Sequence, residues 1–490
     1  MKAKTNIVIN LTSPAVRLAV ALVTTPLYVR HVGEARYGVI WIMLVLLGYF
    51  GFMDLGLGRA ATNALAKLRS APQSERARVL LTTLILNLCF GLVGAVLLFV
   101  CGGYFVEHLL SVPESIKPEV AAAFPWMAGV FPLTLVSGVG IGALESRERF
   151  LLANILQILG MTMSQTVPVI MAIAVNPSLA VVIPAAALTQ AANAVVVLTV
   201  VYRIEGPFSF RGFDRREASA LLGYGGWVSV SNVVGPLLVS GDQFLIGSLL
   251  GAASVTHYAI PMTLIVRSQI FPAAVARTFF PRMSSLPHDA AGALGGRALS
   301  ALAHGYAMVC GPAIILASTF FRYWIGPDFA AVAAPVAKIL FFGGWMNGLA
   351  FVAFTLLQGQ GRPDLTGRIH VFELLPFLAV LWVLTSTLGI VGAAIAWTLR
   401  CSVDAAIMCY AARLGRKEIL PALLPGAVLL LSAIAAFVIG SNPAAILFAA
   451  ILVGLLSLFL ACVFSHDWRK LVLRDMLPRL AAAHRIASPR

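Results

Sequence analysis

The chain has 490 residues, of which 60% are hydrophobic and only 11% are charged. Soluble domains carry about 25% charged residues, so this composition excludes a soluble protein. Apolar runs of membrane-spanning length recur from one end of the chain to the other, and they are too long and uniform for barrel strands. The sequence therefore predicts an all-α polytopic membrane protein, because helices satisfy their own backbone groups in lipid.

Fourteen apolar segments are predicted to cross the membrane as helices. An even number places both termini on the same side. The predicted spans are residues 7–29, 38–61, 79–103, 121–143, 151–174, 178–201, 222–247, 255–279, 299–321, 333–357, 367–388, 390–412, 420–440 and 443–464.

The basic residues follow this topology. Of 35 Lys and Arg, 27 fall in the termini, in the loops on the same side of the membrane or within three residues of the span ends there. Four lie deeper inside spans, and the opposite loops hold only Arg30, Arg36, Lys117 and Arg322. Positive charge marks the cytoplasmic side, which predicts cytoplasmic termini. Topology thus explains the formal net charge of +15, and no nucleic-acid partner is expected.

The chain also repeats weakly, which predicts two parallel six-span halves with a substrate path between them. Three landmark pairs share nearly one offset: Arg147 to Arg362 (215 residues), Gly33 to Gly251 (218) and Arg203 to Arg413 (210). The predicted domains are an N-terminal six-helix lobe (1–202), a cytoplasmic linker (203–219), a C-terminal six-helix lobe (220–413), two extra transmembrane helices (414–465) and a basic cytoplasmic tail (466–490).

Two arginines lie near the middle of predicted spans, Arg17 in the first and Arg267 in the eighth. An arginine at the centre of a spanning helix costs on the order of 3 kcal/mol. Both are therefore predicted to line a cavity and to bind a phosphate or diphosphate, whose oxygens match the planar donors of a guanidinium. The alternative is that each pairs with a helix-end carbonyl or with an acid on a neighbouring span.

Three further charged residues are candidates for the same cavity. Asp54 and Arg59 lie in GFMDLGLGRAATN, at the cytoplasmic end of the second span, where they could instead form a pair that stabilises the helix end. Asp242 lies in the seventh span, in the corresponding region of the second half, or marks the end of that span.

The eleventh and twelfth spans carry four more polar residues. Arg400 and Asp404 are four residues apart on one helical face, which predicts a structural ion pair. Glu373 and His370 are candidates for ion coupling to a H⁺ or Na⁺ gradient or to the membrane potential, although Glu373 could equally pair with Arg400.

The sequence contains no catalytic constellation. It has no phosphate-cradling GxxxxGK[ST] motif and no GxSxG motif. Its six cysteines lack metal-ligand spacing, so no metal or other cofactor is predicted. The longest external loop, residues 104–120, is short for a membrane-embedded glycan polymerase, and a transporter rather than an enzyme is expected.

Several segments resemble bacterial polysaccharide-export flippases of the Wzx type, in the multidrug/oligosaccharidyl-lipid/polysaccharide exporter superfamily. The resemblance extends to about residue 413. The matching segments are HVGEARYG (31–38), MDLGLGRAATN (53–63), GDQFLIGSLLGAASVTHYAI (241–260), FPRMSSL (280–286), LQGQGRPDL (357–365) and LGIVGAAIAWTLR (388–400).

The resemblance implies a V-shaped two-lobed fold in the bacterial inner membrane. It implies a flippase that moves undecaprenyl-diphosphate-linked oligosaccharide from the inner to the outer leaflet, for O-antigen or exopolysaccharide synthesis, by alternating access of a cationic cavity. A polysaccharide polymerase and a chain-length regulator are the implied protein partners. The alternatives are a MATE-type cation-coupled multidrug antiporter, which favours acidic cavity residues, and a lipid II flippase, whose denser arginine set this chain lacks.

Overall fold

The computed structural model describes residues 3–105, 108, 110–206, 213–215, 217–219, 240–440 and 442–470, with side chains from residue 16 onward. Within these ranges every regular element is a helix, and they contain no strand. The chain is an all-α polytopic membrane protein, as the sequence predicts.

Fifteen α-helices are bounded within the described ranges, and a further helical stretch covers 240–250. They are α1 (Ala3–Val32), α2 (Glu34–Phe50), α3 (Leu57–Lys67), α4 (Gln73–Leu97), α5 (Lys117–Ser146), α6 (Phe150–Ala174), α7 (Leu179–Glu205), α8 (Ala252–Ser268), α9 (Ile270–Ser285), α10 (His288–Trp324), α11 (Pro327–Gly359), α12 (Pro363–Ala411), α13 (Arg416–Val438), α14 (Pro443–Phe464) and α15 (His466–Lys470).

Eleven helical runs in the described residues are long and apolar enough to cross a membrane. One of them, α12, contains both the eleventh and the twelfth predicted spans, because it turns at Gly389. There φ is 63° and ψ is −146°, a left-handed conformation that favours glycine. Helix α1 covers the first predicted span, whereas most of the seventh, 222–247, lies outside the described residues.

The second predicted span, 38–61, is not one continuous helix, and its glycine-rich end contains a break. Helix α2 ends at Phe50, and a 3₁₀ turn follows. Leu55 and Gly56 then adopt left-handed φ values of 47° and 69°, which interrupt the helical hydrogen bonds. The chain restarts as α3, and the Asp54 carboxylate accepts a hydrogen bond from the Gly58 N–H at 3.2 Å, which satisfies one of the free donors at the start of α3.

Contacts between helices divide the chain into two compact units, Met1–Thr256 and His257–Arg490. In the first unit, α5 packs against α4 and α7, while α6 packs against α1 and α7. In the second, α11 packs against α10 and α12, and α10 also contacts α13 and α14. The predicted domain boundaries at the 203–219 linker and at residue 413 stay predictions.

Each unit has a closely packed interior. In the first, Leu65, Leu80 and Val197 are fully buried in one cluster. In the second, the buried Trp345 donates its indole N–H to the Ala303 carbonyl at 2.9 Å, which fixes α11 against α10. Since lipid is as apolar as these side chains, close packing and hydrogen bonds rather than the hydrophobic effect stabilise such contacts.

A buried ion cluster joins the ends of α4, α5 and α7. Arg76, which is 0% exposed, donates to both carboxylate oxygens of Glu205, at 2.7 and 3.0 Å. Arg147, just after α5, donates to the same two oxygens at 2.8 and 2.9 Å. The Ser146 hydroxyl accepts a further bond from Arg76 at 3.1 Å. One carboxylate thus holds two guanidiniums, although the predicted topology places both arginines in cytoplasmic loops.

A second ion pair connects helices of the first unit. Arg36 on α2 donates two hydrogen bonds to Glu119 on α5, at 2.6 and 2.8 Å. The same carboxylate accepts from the Leu179 N–H at the start of α7, at 2.9 Å. Three helices therefore meet at one carboxylate here, as they do at Glu205.

Candidate functional site

Arg17 lies on α1 and faces α6. Its Nη2 donates to the Gln157 side-chain oxygen at 2.9 Å, and its Nε is buried without a partner. In the part of the chain that the structure describes, no carboxylate lies within ion-pair distance of Arg17. The alternative of an acid on a neighbouring described span is therefore wrong for this residue. The neutral amide orients the guanidinium, and no described residue compensates its charge.

A polar seam continues from Arg17 along the α1–α6 contact. Two turns further on, the Thr24 hydroxyl, which donates to the Val20 carbonyl at 2.9 Å, lies 3.3 Å from the Gln165 side-chain oxygen. Gln157 and Gln165 are eight residues apart on α6, so they lie on one helical face. Next to Gln165, Ser164 donates to Gln190 on α7 at 3.2 Å.

The charged residues of the sequence do not indicate this seam, since it consists of neutral side chains. The available signal is the pair of glutamines at i and i+8 within an apolar helix, since that spacing is close to two helical turns. Amide side chains offer donors and acceptors without charge, which suits sugar hydroxyls as well as the flank of an anion.

Arg267 lies in the last turn of α8, half-buried, two residues before a break in the helix. The break is fixed by polar contacts. The Gln269 side-chain amide donates to the Tyr306 hydroxyl at 3.2 Å and to the Gly344 carbonyl at 3.0 Å, and Ser268 bonds the same tyrosine. The predicted eighth span is thus two helices, α8 and α9, with Arg267 beside their junction.

The remaining cavity candidates have local partners. Asp54 binds the start of α3, and Arg59 on α3 is exposed. Asp242 is only 1% exposed, and its Oδ1 accepts from the Gln243 N–H at 2.8 Å. Their role in a substrate cavity remains a prediction.

The polar residues of α12 form one cluster across its turn at Gly389. Arg400 pairs with Glu373 at 3.0 Å, so the predicted Arg400–Asp404 ion pair is wrong, and the alternative partner is the one observed. Glu373 approaches from the facing half of α12 and accepts a hydrogen bond from the Arg400 guanidinium, although Asp404 lies one turn away on the same helical face. His370, Glu373 and Asp404 each place a ligand atom within 4.8 Å of the other two.

A cavity of about 410 Å³ opens beside this cluster, between the two halves of α12. Its walls are apolar and include Phe372, Leu399 and Val403, while Glu373 and Arg400 supply its charged lining. Arg400 also lies over the Phe377 ring, 5.5 Å from its centroid. The ion pair is thus held between apolar surfaces in the middle of two spanning helices.

Comparison with known proteins assigns the family. The sequence profile of the family described as "Polysaccharide biosynthesis protein" matches residues 3–287, more than half of the chain. The chain belongs to this family. The matched region contains both mid-span arginines, the polar seam and all helices from α1 to α9.

A curated relative and several solved structures extend this result. The chain is 27% identical over 415 residues to a Shigella flexneri protein named "Putative O-antigen transporter", covering 82% of this chain and 96% of the relative. Its fold is similar to that of the lipid II flippase MurJ in an inward closed conformation, with a TM-score of 0.71, 11% identity and coverage of 95% and 99% of the two chains. An inward-facing multidrug-resistance MATE transporter matches with a TM-score of 0.62, 15% identity and coverage of 83% and 98%. The fold is that of membrane transporters.

Proposed function

We propose that the chain is a flippase that moves undecaprenyl-diphosphate-linked oligosaccharide from the inner to the outer leaflet of the bacterial inner membrane. The family match over residues 3–287 carries this proposal. The resemblance to an O-antigen transporter supports a lipid-linked glycan as the cargo. The chain acts as a transporter rather than as an enzyme, and the bilayer is its working environment.

Arg17 is proposed to hold the diphosphate of the lipid carrier, with Arg267 as the second basic contact. The position of Arg17 supports this role, because its guanidinium is half-buried and bonded to a neutral amide. An anionic ligand would offset a charge that the described residues leave uncompensated. Gln165 and Thr24 extend the polar contacts along the same α1–α6 seam, where sugar hydroxyls of the oligosaccharide would bind.

Transport is proposed to proceed by alternating access of this cationic cavity, with the isoprenoid chain remaining in lipid. The half-buried Arg17 guanidinium, bonded among the described residues to a neutral amide, would favour the diphosphate over bulk water while it crosses the apolar layer. After release in the outer leaflet, a polysaccharide polymerase and a chain-length regulator are the proposed next partners. Asp54, Arg59 and Asp242 are proposed to shape the electrostatics of the path.

Deletion of the gene in its own organism tests this function. We expect viable cells that lose surface polysaccharide and accumulate the lipid-linked repeat unit, with restoration by the wild-type gene. Arrested cell-wall synthesis with accumulated lipid II would instead indicate a lipid II flippase. Increased sensitivity to cationic drugs with normal surface polysaccharide would indicate a multidrug antiporter.

The proposed topology places both termini and the 203–219 linker in the cytoplasm. We expect a cysteine at Ser209 or at Ser488, both outside the described residues, to stay unlabelled by an impermeant reagent in intact cells. The background is a variant in which all six native cysteines are replaced. The positive control is Glu114→Cys, an exposed residue of a predicted external loop. Labelling of Ser209→Cys or Ser488→Cys in intact cells would contradict this orientation.

A further inference from the structure

The cluster on α12 carries an unbalanced charge in the middle of the membrane-spanning helices. It contains two carboxylates, Glu373 and Asp404, one guanidinium, Arg400, and the imidazole of His370. The charge is counted with both carboxylates ionised and the imidazole neutral. The net charge is therefore −1. An uncompensated buried charge is costly in an apolar environment, so a bound cation would stabilise this arrangement.

Two carboxylate oxygens of the cluster are free to bind such a cation. Asp404 is 5% exposed and the Glu373 side chain is 7% exposed. Asp404 Oδ1 and Glu373 Oε2 are both buried without a hydrogen-bond partner. Since buried polar groups are almost always hydrogen-bonded, the two orphaned oxygens beside an imidazole indicate a ligand-binding position rather than a structural ion pair alone.

The surroundings restrict what else can titrate there. Phe354 on α11 packs on the His370 ring, with centroids 6.1 Å apart. Asn347 on α11 contacts the Cys401 thiol at 3.9 Å, and Arg400 donates to the same thiol at 3.5 Å. Cys401 and Cys409 are buried on the Asp404 half of α12, and both are free thiols. Thiols are already protonated at neutral pH and a guanidinium stays charged, so among the described neighbours the groups that can accept a further proton are the histidine and the two carboxylates.

A proton fits this site better than a metal ion does. One proton brings the net charge to zero without moving Arg400 from Glu373. A divalent ion would leave the cluster with a net charge of +1. It would also compete with Arg400 for Glu373, which is one of the three ligand groups. Hard cations such as Na⁺ prefer a shell of oxygen ligands, whereas one of the three ligand groups here is an imidazole.

We propose that His370, Glu373 and Asp404 bind one proton as a unit, with Arg400 as their fixed counter-charge, and that this proton drives the transport cycle. The last part rests on the proposed flippase function, whereas proton binding does not. Loading forms an O–H bond on one of the two carboxylates, beside the neutral imidazole, and unloading returns the proton to water. The Arg400 guanidinium can then exchange its ion-pair partner from Glu373 to Asp404. Asp404 lies one turn away from Arg400 on the same helix. The two halves of α12 are held together by that arginine, so the exchange changes their contact.

Infrared difference spectroscopy of the purified full-length protein tests proton binding without any transport. We expect a protonated-carboxyl band to appear when the pH falls from about 8 to about 5. Glu373→Gln and Asp404→Asn each leave one carboxylate and Arg400, so both variants have the net charge of the proton-loaded cluster and should fold. Both should lose most of the band. The control Asp364→Asn, an exposed acid at the start of α12, should keep it.

Survival of the band in both amide variants would overturn the proton site, as would a spectrum that responds to Na⁺ but not to pH. Coupling is tested separately, in vesicles that contain the protein and the lipid-linked oligosaccharide. A pH gradient should change the wild-type flipping rate about fivefold or more, and it should not change the rate of Glu373→Gln or Asp404→Asn. Wild-type flipping that ignores the gradient would contradict coupling but leave the flippase function intact. No flipping by any variant, with the infrared band present, would contradict the flippase function and retain the proton site.

Discussion

Arg17→Ala is expected to reduce export of the surface glycan strongly while the protein stays in the membrane at its normal level. The alanine removes the guanidinium that is proposed to bind the diphosphate. It also removes a buried charge, which lowers the cost of inserting α1. A hydrogen bond to a charged group contributes about 1.5–3 kcal/mol, so loss of this contact should reduce export roughly 10- to 100-fold. Arg17→Lys keeps the charge but loses the two-pronged donor geometry, and it should retain part of the activity.

Complementation of a deletion strain measures this effect, with surface glycan and protein level quantified in parallel. Arg267→Ala and Arg267→Lys should follow the same order. Arg30→Ala is the matched control, because Arg30 is exposed in the last turn of α1. This variant should export normally. Full export by Arg17→Ala would contradict the binding role. Loss of the Arg17→Ala protein itself would show that the residue acts in folding instead.

Glu205→Gln should produce the largest loss of stability of any single conservative change in the first unit. The Glu205 carboxylate accepts four hydrogen bonds from Arg76 and Arg147. The amide keeps the shape but removes the negative charge, so Arg76 stays fully buried beside a second guanidinium with no counter-charge. Removing one partner of a buried ion pair costs about 3–5 kcal/mol.

Thermal unfolding of the purified protein in detergent measures this loss. Glu148→Gln is the matched control, since Glu148 pairs with Arg69 at an exposed position, and such surface pairs contribute about 0–1 kcal/mol. We expect Glu205→Gln to lower the unfolding temperature clearly and to reduce the amount of protein in the membrane. Equal unfolding temperatures for the two variants would contradict a structural role for the buried cluster.

The sequence predicts the helices of this fold well because membrane spans depend on local composition. Length and apolarity suffice to identify most of them, and Gly389 marks the turn inside α12. The break at Leu55 and Gly56 was harder to predict. The glycines in that segment permit either close helix contact or a break in the helix. The break that forms depends on the hydrogen bond from the Gly58 N–H to the Asp54 carboxylate. Hydropathy carries no information about that contact.

The candidate sites were predicted less completely, for a different physical reason. A mid-span arginine is costly wherever it lies, so Arg17 can be identified from its position alone. Its orientation depends on Gln157, which is 140 residues away in the chain. Arg400 has two acids within reach, and its choice of Glu373 over Asp404 follows from how the halves of α12 pack. Glu205 lies at a helix end, where a charge is inexpensive in water, and only tertiary structure buries it.

Reconstitution is the most direct test of the flippase function. Purified protein is placed in lipid vesicles with an undecaprenyl-diphosphate-linked oligosaccharide that carries a fluorescent sugar, and a membrane-impermeant quencher reports how much remains in the outer leaflet. The wild-type protein should exchange the lipid between leaflets much faster than protein-free vesicles, and Arg17→Ala should not. Equal rates with and without the wild-type protein would contradict the proposed function, and equal rates for wild type and Arg17→Ala would contradict the proposed binding site.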